Sequence, residues 1–259
     1  MISFDKIVNK LLKKGGKVVL KDDIFEIIDP EKKPEYTTIV NKVIYRLKAL
    51  NIIKTIRNGV YIIPDKDDLK LNEIDLVEKY YWQFVKKFIS LEVGSEYFIS
   101  GKKSLQIHLK DFMVPDKLII INRKINKKVL IGNYQIIFKT ISAGKTNLFS
   151  KLSKLTKSLN IDSLSFRFSN LELALIETSV ISDNIEGLDI NLISKAIKKY
   201  AKYFEVRNFY LIGELKYIMA FNRLKELSKN IDKDLYGVFL DIIKKNGGLF
   251  IGEGLRKGV

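Results

Sequence analysis

Histidine occurs once, at His108, and cysteine does not occur in the 259 residues. A Ser-His-Asp relay would have to use His108 with Asp111, yet no G-x-S-x-G turn is present to present the serine. His108 therefore reads as a structural or surface residue. Histidine-based metal sites need more than one imidazole, and thiolate sites and disulfides need cysteine. Two strings imitate phosphate loops. Gly144-Lys145-Thr146 ends like one, but Lys139 stands where the leading glycine belongs. Gly101-Lys102-Lys103-Ser104 lacks both the leading glycine and the Lys-Ser adjacency. Polymerase-type nucleotidyl transfer needs closely spaced carboxylates to hold two metal ions. Asp111 and Asp116 are available, but Leu118 to Ile121, a predicted strand, carries no acid. The chain is expected to have no catalytic residues, no metal and no cofactor.

The chemistry that is present is cationic. Tyr36 to Pro64 contains no Asp or Glu, although Lys42, Arg46, Lys48, Lys54 and Arg57 fall inside it. At 100° per residue, Ile39, Val40, Val43, Ile44, Leu47 and Leu50 share one arc of a helix over about 37–50. Thr38, Asn41, Lys42, Tyr45 and Arg46 share the opposite arc. A recognition helix needs this division, with one side for the domain and a hydrogen-bonding, cationic side for the groove. Residues 53–57 and 60–63 flank Asn58-Gly59, a dipeptide that predicts a two-residue hairpin with φ > 0 at both central positions. Helix, then basic hairpin, is the working end of a winged helix-turn-helix. The candidate DNA-binding residues are Thr37, Thr38, Asn41, Lys42, Tyr45, Arg46, Lys48, Lys54, Arg57 and Asn58. A solvated basic face that binds protein is the competing reading.

A second acid-free run spans Lys117 to Ile161. It supplies Arg123, Lys124, Lys127, Lys128, Lys151 and Lys154 to a possible second basic surface, with Lys195, Lys198, Lys199 and Lys202 on a helical stripe further on. Flanking DNA, an acidic patch on a protein partner and a plain solvated face all fit that pattern. The formal net charge of +16 favours a polyanion, although a lysine-rich proteome also produces it.

The elements that must position these residues fall into an α+β arrangement. Residues 1–64 predict a winged helix-turn-helix, with helices over about 4–14 and 21–28, the first ended by Gly15-Gly16, and Val18-Val19-Leu20 extended between them. Residues 65–75 are acidic and read as a linker. Residues 76–259 form a larger mixed α/β domain ending in a helical section. Within it, a helix over 76–90 carries Tyr80, Tyr81, Trp82, Phe84 and Phe88, whose spacing suits a core better than base stacking. Strands are expected at 97–100, 117–122, 128–131, 134–139 and 163–168. Helices are expected at 101–109, 149–159, 170–181, 190–204, 209–228 and 234–245. Hydrophobic content of 46% supports a sizeable core. Apolar runs are too short for a membrane span and the first residues lack signal-peptide features, which predicts a cytoplasmic protein.

The order of four stretches resembles the AbiEi-type antitoxins, the transcriptional regulators of type IV toxin–antitoxin (abortive infection) systems. They are Tyr45–Pro64, Tyr97–Leu109, Met113–Asn122 and Ser163–Thr178, which together sample most of the chain. Ser104 stands where that family has a small alanine, and Asn58 stands where it more often has Arg or a Pro-type residue. The resemblance implies an N-terminal winged helix, a C-terminal antitoxin domain and autorepression by operator binding. It also implies neutralisation of a nucleotidyltransferase toxin, without an enzyme activity of its own. A winged helix fused to a nucleotidyltransferase, and a ligand-sensing transcription factor, are the alternatives from other classes.

Overall fold

A computed structural model describes residues 3–13, 17–141, 146–180, 188–215 and 217–247. The Gly15-Gly16 stop, Gly144-Lys145 and most of the glycine-rich end lie outside the described residues. Two compact units emerge, one of residues 1–91 with 129–135, the other of residues 92–128 with 136–259. The protein is α+β, with a three-stranded and a six-stranded sheet.

The first unit begins α1 (Phe4–Lys13), β1 (Val18–Leu20), α2 (Lys21–Ile28), α3 (Thr37–Ala49), β2 (Lys54–Arg57), β3 (Val60–Ile62). Its sheet is antiparallel in the order β1-β3-β2. Ile7, Leu11, Ile24, Val40, Ile44 and Leu47 meet in one core under that sheet. Leu12, in α1, and Leu50, expected on the apolar arc of α3, are about half exposed at 53% and 55%. Each sits in or after the last turn of its helix, where the apolar stripe has already run off the core. The start of α2 is fixed by Asp23, whose carboxylate accepts from the Leu20 N–H at 2.8 Å and from Lys87 Nζ at 2.6 Å.

The hairpin departs from expectation in its turn. Gly59 has φ +78°, but Asn58 is not in the left-handed region. Arg57 still pairs with Val60, and the register shifts between Thr55 and Arg57. The turn is accompanied by an irregularity in β2 between Thr55 and Arg57.

The expected linker and domain boundary are also corrected. Residues 65–75 belong to the first unit, and so do α4 (Glu73–Lys79) and nearly all of α5 (Tyr81–Glu92). Asp68 is the physical reason. Fully buried, it accepts from the Asp65 N–H at 2.8 Å, Lys79 Nζ at 2.6 Å and the Tyr80 hydroxyl at 2.6 Å. Gln83 Oε1 accepts from the Lys17 N–H at 2.8 Å, which ties α5 to β1. The helix predicted over 76–90 is two helices that break at Tyr80. Its aromatic residues are core, with Tyr81 and Phe84 wholly buried.

The second unit carries β4 (Tyr97–Ser100), α6 (Gly101–His108), β5 (Lys117–Asn122), β6 (Lys127–Ile131) as far as Lys128, β7 (Tyr134–Thr140) from Ile136 on, α7 (Thr146–Ser153), β8 (Thr156–Ile161) and β9 (Leu164–Ser169). The sheet order is β6-β7-β5-β4-β9-β8. β4 runs antiparallel to β5 and parallel to β9. Then come α8 (Leu171–Thr178), α9 (Ile190–Tyr200), α10 (Val206–Gly213), α11 (Ile218–Ser228) and α12 (Lys233–Lys245). Asn170, Asp189 and Asp232 cap α8, α9 and α12, each accepting a backbone N–H three residues on. The helix expected over 149–159 stops at Ser153, because residues 156–161 pair with β9 along their whole length. The single helix expected over 209–228 is α10 and α11. No described helix is long and apolar enough to cross a membrane.

Candidate nucleic-acid interface

α3 is amphipathic in three dimensions. Val40 and Leu47 are fully buried and Ile44 nearly so, which fixes the rotation of the helix. Thr38, Asn41, Lys42, Tyr45, Arg46 and Lys48 are exposed, and Thr37 is half-buried at the first turn. Tyr45 is 76% exposed. No acidic side chain interrupts this face. Asn41 offers both donor and acceptor, as reading of a base edge requires, and Lys42 offers a point charge to phosphate.

Arg46 is held rather than loose. Its guanidinium lies 4.1 Å from the centroid of the Phe4 ring. A guanidinium over an aromatic face is held by the ring quadrupole without using an acidic partner. The sequence offered no sign of this partner, because nothing local links Phe4 in α1 to a residue of α3.

Of the two hairpin cations, Lys54 departs from expectation. Lys54 is half-buried, and its Nζ donates to the Leu71 carbonyl at 2.7 Å. Arg57 is exposed, with its guanidinium 5.7 Å from the Phe88 ring centroid. Asn58 is exposed at the tip. Lys54 is thus a structural tie, and the cationic weight of the site rests on α3 and Arg57.

The second set of basic residues divides into unlike parts. Arg123 pairs with Glu96 at 3.3 Å and Lys127 with Glu92 at 2.5 Å. Both are partly neutralised, which corrects their assignment to an open cationic surface. Lys124, Lys128, Lys151 and Lys154 are exposed. Lys195, Lys198, Lys199 and Lys202 are exposed on or just after α9.

The candidate catalytic groups are not assembled into a relay. His108 Nε2 meets the Ser169 carbonyl at 2.8 Å, and burial holds the imidazole below its ordinary pKa. Asp111 accepts the Met113 N–H at 3.1 Å and Asp116 is exposed. Lys103, in the string resembling a phosphate loop, is buried and donates to the carbonyls of Asp111 and Met113 at 3.0 and 2.5 Å.

Sequence reasoning passed over one polar cluster. The buried Glu177 carboxylate accepts from the Gly101 N–H at 3.0 Å and the Ser169 hydroxyl at 2.7 Å. Burial pushes it up to about 7 against those bonds and one from Ser100. Burial, then the charge of Glu177, raises the Tyr217 hydroxyl. Gly101, at φ +70°, exposes its N–H to the carboxylate at the start of α6. A glutamate on an apolar helix was the available signal, and only the topology joins it to Gly101.

No family model matches the chain, and no curated protein matches it. A solved structure described as the crystal structure of RV2827C protein from Mycobacterium tuberculosis is similar at a TM-score of 0.43 and 13% identity. That match covers 94% of this chain and 77% of the other. A likeness of this size carries no argument about function.

Proposed function

We propose that the first unit is a winged helix-turn-helix that binds duplex DNA, and that the protein is an autorepressor acting on the operator upstream of its own gene. The observation that carries this reading is the exposed, acid-free face of α3, set on the frame α1-β1-α2-α3-β2-β3. Asn41 and Tyr45 are assigned to base edges and backbone in the major groove, Lys42 and Arg46 to phosphates. Arg57 on the hairpin reaches phosphate or the minor groove.

Titration of labelled upstream DNA tests the assignment. Loss of a base contact in Asn41→Ala costs about 1–3 kcal/mol, or about 5- to 150-fold, on the operator alone. Loss of a phosphate contact in Lys42→Ala weakens every sequence alike and lowers the salt slope by about 0.9. Unchanged operator binding in the triple variant Asn41→Ala, Lys42→Ala, Arg46→Ala sinks the reading.

We further infer an antitoxin role in a type IV toxin–antitoxin system, with a nucleotidyltransferase toxin as partner and a cytoplasmic site of action. The resemblance of the four stretches to the AbiEi-type antitoxins supports it. Co-expression with a nucleotidyltransferase encoded beside this gene is expected to restore growth. Continued toxicity alongside soluble antitoxin counts against the role.

A further inference from the structure

α9 presents its lysines on a fixed support. Ile193, Ala196 and Ile197 are fully buried, so the opposite face cannot rotate away from solvent. Asn191, Ser194, Lys195, Lys198 and Lys199 line one shallow depression on that face. Each of these side chains donates hydrogen bonds, and none carries negative charge. Lys202 continues the cationic row, and the adjoining Tyr203 is 76% exposed.

Among the described residues, the acids flanking the row, Asp189 and Glu205, are already committed. Asp189 caps the helix through the Leu192 N–H and pairs with Lys102 at 3.0 Å. Glu205 lies 3.9 Å from Lys157 and accepts from Asn208 Nδ2 at 3.1 Å. Among the described residues, no carboxylate forms an ion pair with Lys195, Lys198, Lys199 or Lys202. A lysine in the last turn complements the helix macrodipole, which accounts for Lys198 or Lys199. It does not account for Lys195, one turn before Lys199, where like charges at i,i+4 repel. The Lys195–Lys199 repulsion opposes helix stability, so an anionic occupant is the economical explanation for the row.

We propose that α9 and Tyr203 form a docking surface for the phosphate backbone of duplex DNA, separate from the α3 face. The donor chemistry selects this occupant over an acidic protein. Arginine's fork serves carboxylate and phosphate alike, whereas lysine meets phosphate as a point charge. Lysine is also depleted from protein–protein interfaces, while tyrosine hydroxyls join lysine among the regular donors to phosphate. A helix rise of 1.5 Å per residue spreads Lys195 to Lys202 over about 10 Å, enough to meet more than one phosphate along a strand. Such contacts add affinity and salt dependence without reading sequence.

The test uses the full chain carrying Asn41→Ala, Lys42→Ala and Arg46→Ala, so that it does not depend on the α3 reading. Binding to a duplex of arbitrary sequence is measured by fluorescence anisotropy between 50 and 200 mM salt. Adding Lys195→Gln, Lys198→Gln and Lys202→Gln is expected to lower the slope of log K against log salt by about 2.7. Over that interval the parent then loses about 40-fold more affinity than the variant. The matching Lys→Arg triple is expected to keep the slope, which separates lost charge from lost fold. An unchanged slope in the Gln triple overturns the proposal. So does polyglutamate that competes as well as DNA of equal charge, because the surface then does not select phosphate over carboxylate. Operator recognition through α3 stands or falls on its own titration.

Discussion

Replacing Glu177 by Gln is expected to change how stability depends on pH. The Glu177 carboxylate is buried among the Gly101 N–H and the hydroxyls of Ser169 and Ser100, with no described cation paired to it. Its folded pKa is about 7, against 4.5 for an ordinary glutamate. The folded protein therefore keeps a proton that the unfolded chain releases. The contribution is fully present below the unfolded value and is lost as pH rises through the folded one. At about 1.4 kcal/mol per pH unit the full separation amounts to about 3 kcal/mol, of which about 2.5 falls between pH 5 and pH 8. Glutamine keeps a carbonyl acceptor for Gly101 and Ser169 and does not ionise. Urea titrations followed by far-UV circular dichroism, run on both proteins at several pH values, supply the difference. The variant should gain on the parent by about 2.5 kcal/mol from pH 5 to pH 8, whatever the offset at pH 5. A difference that stays constant across this range refutes the reasoning, because Glu177 would then ionise as freely folded as unfolded.

Other expected outcomes follow from packing and charge. Asp68→Ala leaves Tyr80 and the Asp65 N–H without their buried acceptor, which should destabilise the first unit by about 1–3 kcal/mol in urea. Burial opposes ionisation of Asp68, but the bonds from Lys79, Tyr80 and Asp65 outweigh it and hold the carboxyl at about 2. Its contribution should be intact above about pH 4 and fade as the pH falls toward 2, so acid unfolding of Asp68→Asn should lack that component. Gly213→Ala raises helix propensity yet should destabilise by about 1–3 kcal/mol, since a Cβ there falls 2.6 Å from Ile242 Cγ2 in the α10–α12 packing. A raised melting temperature would contradict that packing.

Periodicity determined much of the local structure. The exposed and buried arcs of α3, the β4–α6 junction at Ser100-Gly101 and the core role of Tyr81, Trp82 and Phe84 were legible because side-chain direction repeats with backbone geometry. The charge asymmetry of residues 36–64 was equally legible, since it needs no coordinates. Tertiary structure decided what local pattern leaves open. Phe149, Leu152, Leu155 and Leu159 suit a helical stripe, yet residues 156–161 became a strand because β9 offers a full register of partners. Their turn, Asp162-Ser163, takes φ +49° and +63° without glycine, so the usual hairpin signal was missing. The acidic stretch 65–75 resembled a linker because composition does not reveal that Lys79 and Tyr80 close over Asp68. The same limit applies to the site. Sequence supplied the cations, but only the fold tied Lys54 to Leu71, stacked Arg46 on Phe4 and paired Arg123 and Lys127 with glutamates. Charge is a property of the residue, whereas its availability to a ligand depends on neighbours brought from elsewhere in the chain.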